Sequence, residues 1–208
     1  MLDQILVIIG ITTLVMFSPG PDLVIVIRNT LTGGRAGGFK TSAGILLGNM
    51  VHITYCAVGI GLLISQSIVA FNILKYAGVL YLLYLGFISL RNSNKTMSLE
   101  VNADDAGTLK QTRTWFLQGF VSNVLNPKGT LFYLGVFTMV ITPETSTFAT
   151  VILSAISVGV SGLFWLIFVT TLDRRFVRNA LEKGQVTVNR LFGGLLIFLG
   201  VRIAFLER

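Results

Sequence analysis

Five long apolar runs and a shorter sixth fill a chain of 208 residues, and two of them are interrupted by polar, helix-breaking clusters. The first interruption is Ser18-Pro19-Gly20-Pro21-Asp22; the second is Asn123-Val124-Leu125-Asn126-Pro127-Lys128-Gly129. In hydrocarbon every backbone N–H and C=O needs an internal partner, so broken helix is tolerated only where protein or a water-filled cavity satisfies it. Paired prolines and a lysine at such depth point to a membrane transporter.

Composition agrees with a lipid solvent. Hydrophobic residues make up 53% and charged residues 12% of the chain, with a mean hydropathy of +0.79, outside the usual soluble range. A spanning helix takes about 20 largely apolar residues, so the chain has room for six spans, short connections and no sizeable soluble domain. The apolar runs predict an all-α membrane protein of one domain, residues 1–208, with spans near 3–28, 41–64, 72–91, 115–141, 147–172 and 189–206 and a polar linker over 92–114. The amino terminus carries Asp3 in place of the basic segment of a secretory signal, so residues 2–17 read as part of the first span.

The net charge of +7 raises nucleic acid as a partner, but the basic residues sort by loop. Arg28, Arg35 and Lys40 fall in the first loop, Arg91, Lys95, Lys110 and Arg113 in the third, and Arg174, Arg175, Arg178, Lys183 and Arg190 in the fifth. The second loop has Lys75 and the fourth has no basic residue. The positive-inside rule then places loops one, three and five in the cytoplasm and both termini outside. Arg202 and Arg208 run against this assignment unless Arg202 faces protein or snorkels.

Three spans on either side of the linker would have opposite orientations, as in transporters built from a 3+3 inverted repeat around a midplane site. The two broken spans, the first and fourth, hold equivalent places in the halves.

At the first break, Pro19 and Pro21 remove two N–H donors and Gly20 permits backbone shapes closed to other residues. The exposed N-terminus of the second half-helix favours an anionic group such as a carboxylate. Asp22 at that start either caps the helix or binds a cation or proton. At the second break, Asn123, Asn126, Pro127 and Lys128 bring two amides and an ammonium together. A lysine at the centre of a span costs roughly 2.5–3.5 kcal/mol on insertion scales, so Lys128 should face a cavity, pair with an acid or snorkel. Asp22 is the acid at comparable depth, which makes an Asp22–Lys128 pair across the two breaks the expectation.

In the second span Gly44 and Gly48 have the small-xxx-small spacing that lets helices approach closely, and a homodimer packed through such faces is compatible with the sequence. Asn49, His52 and Tyr55 follow at steps of three and share a face. Imidazole ordinarily titrates near pH 6.5, so His52 is a candidate in a proton-coupled cycle, against the plainer role of a hydrogen-bonded residue between helices. Tyr76, Tyr81, Tyr84, Trp115 and Trp165 read as interface anchors or packing, with Tyr81 and Tyr84 able to line a pocket. Asp173 beside Arg174 and Arg175 reads as a charged helix end.

No Ser–His–acid set, H-E-x-x-H spacing or Gly-Lys-Ser/Thr phosphate loop occurs, so neither an enzyme, a cofactor nor ATP coupling is expected. With Cys56 as the sole cysteine, a disulfide within the chain, a thiol relay and a thiolate metal site are excluded; its expected role is a small buried hydrophobe. One histidine, one cysteine and one deep acid make a poor cation site. A non-transporting structural subunit would leave Lys128 without a purpose.

The segments Phe17-Ser18-Pro19-Gly20-Pro21-Asp22, Gly34-Arg35-Ala36-Gly37-Gly38 leading to Gly44-Ile45-Leu46-Leu47-Gly48, Tyr76 through Gly86, and Phe116-Leu117-Gln118-Gly119 to Asn126-Pro127-Lys128 resemble the lysine exporter/RhtB family of amino-acid efflux proteins in order, spacing and overall length. The resemblance covers nearly the whole chain. It implies a six-span carrier of the bacterial inner membrane that exports amino acids or close derivatives, driven by the proton-motive force. By motif it implies roles for Pro19, Gly20, Pro21, Asp22, Asn126, Pro127 and Lys128. Many relatives carry Asn after Pro-Gly-Pro where this chain has Asp22, a departure that bears on proton or cation coupling. The resemblance leaves the substrate open, because relatives handle basic, neutral and sulfur-containing amino acids with the same motifs. The expected mechanism is alternating access, the substrate carboxylate meeting the half-helix N-terminus and Lys128 and its ammonium meeting Asp22 or carbonyls freed by the prolines.

Overall fold

The structure is a computed structural model that describes residues 1–17, 20–66, 68–91, 111–142 and 145–172, together with 184, 186–187, 190–191, 193–198, 200–201 and 204–205. Among the described residues there is no strand. The helices are α1 (Leu2–Phe17), α2 (Pro21–Gln66), α3 (Ile68–Arg91), α4 (Gln111–Val124), α5 (Pro127–Val140) and α6 (Thr147–Thr171), and the described residues from 184 to 205 are helical too.

α2 is two limbs joined at Gly34, whose φ of 60° and ψ of −165° break the helix. Glycine meets that positive φ without the Cβ clash that other residues suffer. Asn29 Nδ2 donates to Thr41 Oγ1 at 2.9 Å across the turn, so the second limb folds back along the first. The sequence reading ends the first span near residue 28 and begins the second at 41. The helix instead runs to Gly33 and resumes at Arg35, because one glycine suffices for the reversal.

The second limb of α2 lies directly against α4. A methyl group at Gly44 would collide with the Phe116 carbonyl oxygen, and one at Gly119 with that of Thr41. Small residues here let two backbones touch, the packing expected where apolar side chains gain nothing by leaving lipid. The glycine face that the sequence offers for dimerisation is therefore filled by α4 of the same chain.

Two apolar clusters flank the polar middle. Ile8, Ile11, Val15, Ile53, Val79, Leu82, Phe132, Phe137 and Leu153 belong to one; Leu23, Val26, Ile45, Trp165, Phe168 and Val169 belong to the other. Trp165 is a packing residue, with its ring edge-on to Phe168 at 5.8 Å. Cys56 is buried in the first cluster, its thiol against the Thr130 carbonyl oxygen at 3.6 Å.

The outside is apolar as well. Leu80, Phe87, Phe148, Leu163 and Ile167 are each more than half exposed, as is Tyr84, which faces outward. Pro21–Ile60 and Thr147–Thr171 are long and apolar enough to cross a membrane by length and composition. At 1.5 Å per residue the 25 residues of α6 extend about 37 Å, beyond a hydrocarbon core of about 30 Å. Leu2–Phe17, Tyr76–Arg91 and Lys128–Val140 are shorter apolar helices.

Candidate functional site

Both sequence breaks interrupt helices in the same way, and each second half begins on a proline. α1 ends at Phe17, Gly20 is a bend, and α2 starts at Pro21; Ser18 and Pro19 lie outside the described residues. Proline is well suited to the first helical position, where an N–H would find no partner within the helix. Asp22 occupies the first turn, where the helix dipole favours negative charge. At the second break α4 stops at Val124 and Asn126 becomes the N-cap of α5, its Oδ1 accepting from the Lys128 backbone N–H at 3.0 Å. Pro127 follows as first residue of the helix. Asp22 and Lys128 thus each follow the proline that opens a half-helix.

Asp22 is where the two breaks meet. Its Oδ2 accepts from Asn123 Nδ2 at 2.8 Å and its Oδ1 from Ser122 Oγ at 3.2 Å. The expected partner Lys128 stands within electrostatic reach of the carboxylate, while these hydrogen bonds come from the last turn of α4. Asn123 Nδ2 also donates to Asn49 Oδ1 at 3.0 Å. A carboxylate only accepts, so it fixes which way the Asn123 amide points, and that amide fixes Asn49 in turn. Asn49 Nδ2 and Asn123 Oδ1 are buried without a hydrogen-bond partner among the described residues, and both residues are only 2% exposed. Polar atoms so placed are rare in folded proteins and invite a functional explanation.

His52 supports this arrangement from behind. Its Nε2 lies 2.9 Å from the Asn123 carbonyl oxygen, one of the acceptors released where α4 ends. A carbonyl only accepts, so Nε2 carries hydrogen and, in the neutral ring, Nδ1 is the acceptor. Nδ1 faces Tyr55 Oη at 2.6 Å and Thr130 Oγ1 at 3.1 Å, and Tyr55 Oη donates to Thr130 Oγ1 at 2.5 Å. His52 is 1% exposed. It ties α2 to both sides of the α4–α5 break and positions the residue that holds Asp22.

Asp22, Asn49, His52, Asn123, Asn126 and Lys128 therefore gather around the two breaks, with Gly20, Pro21 and Pro127 shaping the backbone there. Pro19 falls outside the described residues, and so do Asp173 and Arg202. Ser122 and Thr130 escaped the sequence reading. Ser122 adjoins Asn123 and could have been noticed on that ground, whereas Thr130, two residues past Lys128, looks like ordinary helix filling. Tyr81 and Tyr84 pair with each other on α3, ring centroids 6.0 Å apart.

An all-helical, lipid-compatible chain with a charged, hydrogen-bonded centre at two helix breaks is a membrane transport protein in class. The chain belongs to the LysE type translocator family, whose model matches residues 13–206. It is 29% identical to the homoserine/homoserine lactone efflux protein of Salmonella typhi over 93% of this chain and 92% of that protein. It is also similar to two proteins named as uncharacterized membrane proteins. YahN of Escherichia coli is 24% identical over 98% of this chain and 90% of its own length; YrhP of Bacillus subtilis is 25% identical over 97% and 98%. No solved structure matches the chain. The family is one of transporters rather than enzymes.

Proposed function

We propose that this protein exports amino acids or close derivatives across the bacterial inner membrane, coupled to protons, by alternating access at a midplane site between the two breaks. The observation that carries this reading is the Asp22–Asn123–Asn49 arrangement, a half-buried carboxylate beside an amide N–H and an amide oxygen that have no partner among the described residues. Such a set complements a zwitterion. The substrate ammonium meets Asp22 and Asn123 Oδ1; its carboxylate meets Asn49 Nδ2, Lys128 and the amino-terminal turn of a half-helix. The efflux function of the Salmonella relative supports the direction and the substrate class.

Proton coupling runs through Asp22 in this reading. Protonated, the carboxyl becomes a donor, and the Asn123 and Asn49 amides can turn over together so that Asn123 Oδ1 accepts from Asp22 and Asn49 Nδ2 donates to Asn123. One amide orientation then corresponds to each protonation state. The parallel construction of α1 with the first limb of α2, and of α4 with α5, supports an inverted repeat of three spans and three, with both termini outside.

Purified protein in liposomes loaded with a mixture of common amino acids, under an imposed pH gradient, tests this reading. Selective flux that follows the gradient is expected. Absence of flux for every amino acid and for homoserine lactone would refute it.

A further inference from the structure

The first limb of α2, Pro21 to Gly33, is a helix broken at both ends: Gly20 bends before it and Gly34 reverses the chain after it. It meets α4 in two layers. In one, Asp22 Oδ1 accepts from Ser122 Oγ at 3.2 Å. In the other, Asn29 Nδ2 donates to Gln118 Oε1 at 2.9 Å. Asp22 and Asn29 are seven positions apart and Gln118 and Ser122 four, so each pair shares a helical face. The second layer lies about 10 Å from Asp22 along the limb and about 6 Å from Ser122 along α4. It is displaced towards the end of the limb that leads to Arg28, Arg35 and Lys40.

Asn29 is 4% exposed and uses both amide hydrogens, the second on Thr41 Oγ1 at 2.9 Å. The Thr41 hydroxyl donates to the Gly37 carbonyl oxygen at 2.8 Å, so towards Asn29 it can only accept. One side chain thus ties both limbs of α2 to α4. Next to Thr41, Ser42 is 5% exposed and its Oγ has no hydrogen-bond partner among the described residues. Ser42 and Asn49 are seven positions apart and share a face of the second limb, so Ser42 Oγ and the unpartnered Asn49 Nδ2 form a line from the level of Asn29 to that of Asp22. Buried polar atoms without partners are rare in a packed interior, and a row of them suits a passage that is wet when open. The second limb and α4 press backbone on backbone at Gly44 and Gly119. The first limb meets Gln118 through side chains and has a helix break at each end, so it is the element that can tilt away.

We propose that the Asn29–Gln118 hydrogen bond, with Thr41 behind it, is the inner gate of the carrier. Breaking it lets the first limb swing off α4 and opens a passage past Ser42 to Asp22. The passage opens from the basic end, which the positive-inside rule assigns to the cytoplasm. This rests on the transport reading above, which places the substrate between the breaks. The gate is shut in this structure, and an amino acid reaches Asp22 from that side once Asn29 releases Gln118.

Thiol labelling of the full chain in inside-out membrane vesicles reads the gate without substrate. Ser42→Cys exchanges one small buried side chain for another. The native Cys56, 2% exposed in the first apolar cluster and beyond His52 along α2, is the internal control. A charged, membrane-impermeant methanethiosulfonate is added to the cytoplasmic face. Gln118→Met and Asn29→Leu each remove the bond and nearly keep the size of the side chain. Each should speed modification at position 42 about 3- to 10-fold, the range that one net hydrogen bond commands, and leave Cys56 at its former rate. Faster labelling of both cysteines would mean a loosened fold and overturn the gate. So would an unchanged rate at position 42, or acceleration from the outer face alone. The variants remove the bond from opposite sides, so either one decides if the other fails to insert.

Flux of amino acids presented to the cytoplasmic face adds a second readout. Both variants should lower KM and kcat together, because more of the protein already stands open to that side. A bond that only holds helices together would lower kcat with KM unchanged or raised, which overturns the gate alone. Failure of wild type to move any amino acid overturns the transport reading and the gate with it.

Discussion

Asn123 Nδ2 donates to Asp22 Oδ2 at 2.8 Å, linking the last turn before one helix break to the first turn after the other. The two residues are 101 positions apart in the chain. Their bond brings the two interruptions of the fold into one place, and the surrounding groups take their orientation from it.

Replacing Asp22 by asparagine keeps the size of the side chain and removes its charge and its titration. The amide that takes the place of the carboxylate can still offer its oxygen to Asn123, and the Ser122 hydroxyl can turn to accept from the new NH2, so insertion and thermal stability should stay near wild type. Transport should fall by about 100-fold or more, and the residual flux should no longer follow a pH gradient. Asp22→Ala should also lose stability, by about 1–3 kcal/mol, since it strands the donors that Asp22 now satisfies. Thermal denaturation in detergent alongside flux measurement checks both.

His52→Ala opens a cavity behind Asn123 and removes one of two hydrogen bonds to its carbonyl oxygen, which keeps the one from the Asn126 N–H at 2.9 Å. The expected loss is about 2–4 kcal/mol, most of it from lost packing. His52→Gln can still donate to that carbonyl and should recover part of the stability. If His52 instead carried the coupled proton, the Gln variant would be stable yet insensitive to the pH gradient, which flux measurements would reveal.

Gly44→Val should prevent α2 and α4 from meeting and abolish accumulation in the membrane, because the added carbons run into the backbone of Phe116. Gly59→Ala is the matched control, since a methyl there meets nothing within 4 Å. Gly34→Ala should cost about 1–2 kcal/mol from its positive φ alone. Membrane yields of the three variants measure the order.

Much of the candidate site was legible because membranes punish polar residues. Asp22, Asn123 and Lys128 stood out against apolar neighbours, and the two proline breaks announced where helices would end. Asn49 and His52 were legible as a shared face by their spacing of three. What the pattern did not contain was pairing between distant segments: hydrogen bonds from Ser122 and Asn123, rather than a contact with Lys128 alone, hold Asp22, and no local signal separates those alternatives. His52 has two readings on sequence, titrating group or structural link, and its contact with the Asn123 carbonyl is a pairing that no local pattern announces. The reversal at Gly34 was obscured for a different reason. Gly33, Gly34, Gly37 and Gly38 crowd one stretch, and any of them would have served as the turn.

Asn49→Ala deletes the acceptor beside Asn123 and the unpartnered N–H assigned to the substrate carboxylate. The KM for amino-acid substrates should rise about 10-fold with a smaller change in kcat, because a binding contact is lost while Asp22 still titrates. Concentration-dependent flux into proteoliposomes separates the two constants.

The most direct measurement is counterflow of radiolabelled homoserine in proteoliposomes that hold equal amounts of wild-type protein or Asp22→Asn. Binding and exchange at a site centred on Asp22 predict accumulation of label by wild type and background levels with the variant. Equal accumulation by the two proteins would contradict the assignment of Asp22 and the site between the breaks.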